Sequence, residues 1–229
     1  MTRLAKYLAS AGVALTALTA LPAHAQVDGR LATVDISRTI IGTTAFQTSY
    51  EQVNTTYAQQ NELRRTKAQE RQTMLAKFDK NGDKQVDDSE QAAMQKSPDF
   101  AKLQTLEQEI QGLGNQIDGA RVYAIEQIIM QYPAALEQVT TAQQIKMVID
   151  PSSLLFAPPE ADITQQVTTA LNAKVASVGV VPPAGWQPSR EGVQIYQEIQ
   201  QRLIAAQMAQ AQQQQQAAQP GNAAAPAGR

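Results

Sequence analysis

Twelve residues, Asp79-Lys-Asn81-Gly-Asp83-Lys84-Gln85-Val86-Asp87-Asp88-Ser89-Glu90, place oxygen-bearing side chains at nearly every second position. That spacing suits a hard cation. Ca²⁺ takes roughly six to eight oxygen ligands, and a twelve-residue loop supplies them from positions 1, 3, 5, 7, 9 and 12. Those positions fall on Asp79, Asn81, Asp83, the Gln85 carbonyl, Asp87 and Glu90, the last able to bind through both oxygens. Position 6, where the sharp turn calls for glycine, is Lys84. Holding a non-glycine residue in a left-handed conformation costs about 1–2 kcal/mol, and the lysine charge opposes a nearby cation. The expected affinity is weak, about 10⁻⁴–10⁻³ M. The plainer reading of the same residues is a solvated acidic turn between two helices. If Ca²⁺ binds, its role is to stiffen the loop, not to catalyse.

Little else in the chain could do chemistry. There is no cysteine, and the one histidine, His24, lies in a segment that reads as an export signal: Arg3 and Lys6, an apolar run from Tyr7 to Leu21, then Ala23-His24-Ala25 before Gln26. The run is shorter than the ~20 residues a membrane span needs. Cleavage after Ala25 and an extracytoplasmic destination are expected, and no later stretch reads as a transmembrane helix. The chain from Gln26 onward keeps 17 of the 19 basic residues, because Arg3 and Lys6 are lost, against all 21 acidic ones, a net charge of −4. Without imidazole or thiol there is no Ser-His-Asp triad, no cysteine nucleophile and no Cys/His metal site. An acidic chain is not expected to bind nucleic acid. A carboxylate-based hydrolase would need a concave pocket that a helical hairpin lacks. The chain reads as a non-enzyme, and without disulfides packing and association must hold it together.

The elements around the tip loop are read from periodicity. Residues 30–35 carry a β-prone strand around Leu31-Ala-Thr-Val34. From about Thr43 the pattern is helical, with Phe46, Tyr50, Val53 and Tyr57 on one face. Residues 58–74 are polar almost all round, which keeps that helix out of a large core. Beyond the tip, Ser97-Pro98 marks a fresh start. Leu103, Leu106, Ile110, Leu113, Ile117, Ala120 and Ala124 then form a heptad seam for an antiparallel partner. Gly112, Gly114 and Gly119 weaken this helix, and Pro133 should bend it. Residues 43–142 are therefore expected to be a helical hairpin with its tip at 79–90. Strands are expected at 145–150 and 153–157, and a helix capped by Asp162 from there to about Lys174. After a domain over 26–175 come a linker (176–190) holding Trp186, a helix (191–207), and a Gln/Ala-rich tail (208–229) expected to be disordered. Trp186 either docks this extension onto the body or awaits a partner. The fold class is α+β, mainly helical: a long antiparallel coiled-coil hairpin on a small β-body. Strands this few are marginal alone, so copies of the chain are expected to pool them.

Leu31-Ala-Thr-Val34-Asp35 at the start, Ile145-Lys-Met-Val-Ile149-Asp150 at the return, then Leu154-Leu-Phe156 and Asp162-Ile163-Thr164-Gln-Gln-Val167 give an order of elements that resembles the Skp/OmpH family of periplasmic chaperones. The resemblance covers residues 26 to about 175. It implies a trimer, with the strands in a central body and the hairpins as tentacles around a cavity. Unfolded outer-membrane proteins would be held there without ATP, in the periplasm, with peripheral membrane contact. The family is often basic; this acidic chain is a poor match for lipopolysaccharide. Client contact is expected from Phe46, Tyr50, Tyr57, Met74, Met94 and Phe100, methionine being adaptable at promiscuous surfaces. The tip resembles an EF-hand loop, with Phe78 before it and Val86 at the apolar eighth position, although EF-hands normally pair and one is present. The competing reading is a calcium-responsive structural coiled-coil protein of the envelope without chaperone activity.

Overall fold

The computed structural model describes residues 29–83 and 85–218. The expected export segment, Lys84 and the end of the tail lie outside them. Strand β1 (Arg30–Thr33) stops short of the expected residue 35 because Asp35 becomes a helix cap. Its carboxylate accepts the Arg38 N–H at 2.9 Å and starts a short helix, α1 (Ile36–Ile41), that periodicity did not disclose. Thr43 caps α2 (Thr44–Thr56) by accepting the Phe46 N–H. A single non-helical residue, Tyr57, separates α2 from α3 (Ala58–Leu75). The return limb is α4 (Asp88–Gln95) and α5 (Phe100–Ile129), the latter unbroken through its three glycines. Pro133 interrupts the helical run as expected, and α6 (Tyr132–Ala142) starts around it.

α3 and α5 run in opposite directions, as their ion pairs show. Lys67–Glu109 and Arg71–Glu107 close at 2.6 Å and Lys77–Asp99, just past the end of α3, at 3.5 Å, so the α5 partner number falls as the α3 number rises, while Lys102–Glu70 at 2.6 Å reaches obliquely across the seam. The seam is unevenly packed. Leu103 and Leu106 close against Met74 near the tip, and Ile117 and Ala120 against Val53 near the root. Between them Ile110 and Leu113 are only half-buried, because α3 offers polar side chains there.

β2 (Ile145–Ile149) lies parallel to β1, with Leu31 opposite Met147 and Thr33 opposite Ile149. Parallel neighbours need a long crossover, and here the whole hairpin is that crossover. The expected third strand at 153–157 does not form. Asp150 and Pro151 start a tight 3-10 turn (Pro151–Ser153), and the segment leads to Pro158-Pro159, which cannot donate to a ladder. The free edge of β1 instead receives the Ile163 N–H on the Thr33 carbonyl at 2.9 Å. Leu155 and Phe156 are left 108% and 82% exposed.

α7 (Thr164–Lys174) closes the body, with the Asp162 carboxylate accepting the Thr164 N–H at 2.9 Å and pairing with Arg38 at 3.1 Å. The main core joins β1, α1, α2, the C-terminal half of α5, α6 and α7 around Ile40, Ile125, Ile128, Ile163 and Leu171. α8 (Arg190–Ala218) runs past the expected end at residue 207. The Gln/Ala composition read as disorder is also good helix-forming composition, so the helix propagates through residues 208–218 without a core to hold it. Among the described residues no helix is long and apolar enough to cross a membrane.

Candidate functional site

The tip loop folds through its own acidic side chains. Asp79 accepts the Gly82 N–H at 2.7 Å, Asn81 the Asp83 N–H at 3.0 Å, and Asp83 the Gln85 N–H at 2.7 Å. These are turns in which short Asx side chains replace a backbone acceptor. Asp87 and Glu90 form a capping box at the start of α4: Asp87 accepts the Glu90 N–H at 2.9 Å, and Glu90 accepts the Asp87 N–H at 3.2 Å. Accepting the backbone N–H of Glu90 holds the Asp87 carboxyl below the usual carboxylate range. The second Glu90 oxygen crosses the loop to the Lys80 N–H at 2.7 Å. Glu90 is 2% exposed and ties both limbs together. Among the described residues no three acidic side chains converge as metal ligands. Asp79, Asn81, Asp83, Gln85, Asp87 and Glu90 lie on one loop, with their oxygens engaged largely by its backbone.

The six residues expected to touch a client do not form one surface. Phe46 is buried in the main core, with its ring 4.2 Å from that of Tyr50. Tyr57 donates to the Val180 carbonyl at 3.4 Å. Met74 and Met94 belong to the cluster at the tip, and Phe100 is half-buried at the start of α5. Other apolar side chains are open: Leu31, Met147, Leu155 and Phe156 around the strands, Met130 at the end of α5, Leu63 and Val86 on the hairpin and its tip, and Val181, Ile204 and Met208 on the extension.

The C-terminal extension is seated on the hairpin root. Gln127 exchanges two hydrogen bonds with Gly179, donating to its carbonyl at 2.9 Å and accepting its N–H at 3.0 Å. Glu126 accepts the Trp186 indole N–H at 3.1 Å and the Ser189 N–H at 2.6 Å. The Trp186 ring meets Tyr123 edge-on at 5.4 Å. So Trp186 docks the extension. α8 then buries Ile195 and Ile199 in the main core, while Tyr196 donates to Asp118 at 2.6 Å, Gln200 to the Tyr50 hydroxyl at 2.8 Å, and Arg202 pairs with Asp35 at 2.8 Å. Asp118, Glu126 and Arg202 were not singled out by sequence. The apolar pattern of α8 announced a buried face, but nothing local named the acceptors facing it.

Burial first, then the bond to Asp118, pushes the Tyr196 hydroxyl up to about 12. A raised folded value means the contribution is fully present below the unfolded value near 10 and is lost as pH rises through about 12. Tyrosinate absorbance should therefore develop late, with α8 loosening across that window, and Tyr196→Phe should remove this part of the transition.

The family described as Outer membrane protein (OmpH-like) matches residues 30–171, from β1 into α7. A solved structure described as an outer membrane chaperone (OmpH-like) from Caulobacter crescentus CB15 is 16% identical. The alignment covers 79% of this chain and 99% of that one, with a TM-score of 0.38. No curated protein matches.

Proposed function

The chain belongs to the OmpH-like family of outer membrane proteins, and on that premise we propose that it is an ATP-independent periplasmic holdase that binds unfolded outer-membrane proteins and prevents their aggregation. The match from β1 into α7 carries this reading. A hairpin closed at its root and tip but lightly packed between is a limb that can splay around a client of no fixed shape. Export with cleavage after Ala25 would deliver it to the periplasm. Association of several copies is supported by the body: a two-stranded sheet is marginal alone, and Leu31, Met147, Leu155 and Phe156 lie open beside it, where sister chains would cover them; a trimer is the number the resemblance implies.

Dilution of a urea-unfolded outer-membrane β-barrel protein, with and without the chain from Gln26, tests the reading. Light scattering should fall at stoichiometric excess without nucleotide. Unchanged scattering would favour a structural envelope protein instead.

A second proposal concerns the tip, where weak Ca²⁺ binding would set the entry angle of the hairpin. The support is the spacing: Asp79, Asn81, Asp83, Gln85, Asp87 and Glu90 fall at the ligand positions of a twelve-residue Ca²⁺ loop. Calorimetric titration with Ca²⁺ should give heat that Glu90→Gln abolishes. No heat from the unsubstituted chain, or equal heat from the variant, excludes it.

A further inference from the structure

Building on the holdase reading, we infer that the face beneath α8 is a client-binding surface for an amphipathic segment bearing aliphatic side chains one helical turn apart and flanking Tyr or Arg donors, and that α8 occupies it in cis. The family match ends at residue 171, before the extension begins. The face under α8 thus belongs to the family's domain, and its present cover does not.

The cover is held like a ligand. Of its described residues only Gly192, Ile195 and Ile199 are buried, and everything from Ile204 to Gln215 is exposed. Tyr196 and Leu203 pack partly buried beside the buried residues, and the polar ties are Tyr196 to Asp118, Arg202 to Asp35 and Gln200 to the Tyr50 hydroxyl, with Trp186 bonded to Glu126 just before the helix. α8 lies on α5 and α1, with the Tyr50 ring at its side, tilted 37° against Phe46 at 4.2 Å and with the Arg121 guanidinium 5.6 Å over it. Apolar anchors at one-turn spacing in a groove, with polar bonds at the edge, are how amphipathic helices are recognised. The carboxylates at the rim select a partner that brings donors where α8 brings Tyr196 and Arg202. A client segment would take the place of α8, which would swing out on the linker.

The test uses the full chain and its lack of cysteine. A Cβ placed at Gly192 would lie 2.6 Å from Cγ of Glu126, which sets the two Cβ atoms within the ~3.5–4.5 Å reach of a disulfide. In Glu126→Cys/Gly192→Cys the oxidised form locks α8 down and the reduced form frees it. Binding of a fluorescein-labelled, cysteine-free, urea-unfolded outer-membrane β-barrel protein is followed by anisotropy. Oxidation is expected to weaken binding at least tenfold, and Ile199→Ala, which loosens the cover from its own side, to tighten it relative to the unsubstituted chain. Equal affinity in the two redox forms, or no tightening by Ile199→Ala, overturns the inference while the holdase reading stands. Failure of the unsubstituted chain to bind overturns both.

Discussion

Ile128→Ala should lower the free energy of unfolding by about 2–5 kcal/mol, the range for deleting a fully buried aliphatic side chain whose surroundings collapse only partly. Ile128 is 0% exposed, in the core cluster on the stretch of α5 against which α1, α2, α6 and α8 pack. Against a typical total of about 5–15 kcal/mol, such a loss is large. It should appear as a lower denaturant midpoint with unchanged slope, measured at fixed protein concentration because association would shift the apparent stability. A cost under about 1 kcal/mol would mean that α5 is not the common wall of the body.

Ile199→Asp should act locally instead. Ile199 is 0% exposed, and an unpaired carboxylate there would be costly to bury. The helix has a cheaper response, which is to leave. Its other anchors are Ile195 in the core, the Arg202–Asp35 pair, the Tyr196–Asp118 bond and the Gln200–Tyr50 bond. If detachment becomes easier by about 3 kcal/mol, the open population rises about 100-fold, at 1.4 kcal/mol per factor of ten, and proteolysis in the fast-exchange regime follows that population. Trypsin should then cut after Arg190 and Arg202 far faster, while the midpoint of the hairpin and body moves little. Loss of the whole fold together with α8 would show the helix to be part of one cooperative unit.

Much of the hairpin was readable from spacing. The heptad seam on α5 and the polar α3 predict both the pairing and its thin middle, because burial follows directly from which residue types recur every third and fourth position. The turn at Pro133 was equally plain. Two other readings needed information that no local pattern holds. Leu154-Leu-Phe156 has the composition of a strand, yet a strand exists only where a neighbour offers its edge, and β1 takes the Ile163 N–H there instead. The tip acids read as ligands because their order fits a cation, while the same Asp87 and Glu90 also satisfy the rule for starting a helix. One sequence pattern serves two chemistries: the capping box is formed, and the same two carboxylates remain the candidates for a cation. Phe46 and Met74 read as client-facing for a similar reason: an apolar face announces burial without saying what buries it.

The proposed activity is tested most directly by sedimentation velocity of the chain from Gln26, alone and mixed with a urea-unfolded outer-membrane β-barrel protein diluted without nucleotide. A holdase should give one soluble species in which client and chain move together, faster than the chain alone. A client that pellets while the chain sediments unchanged would contradict that activity.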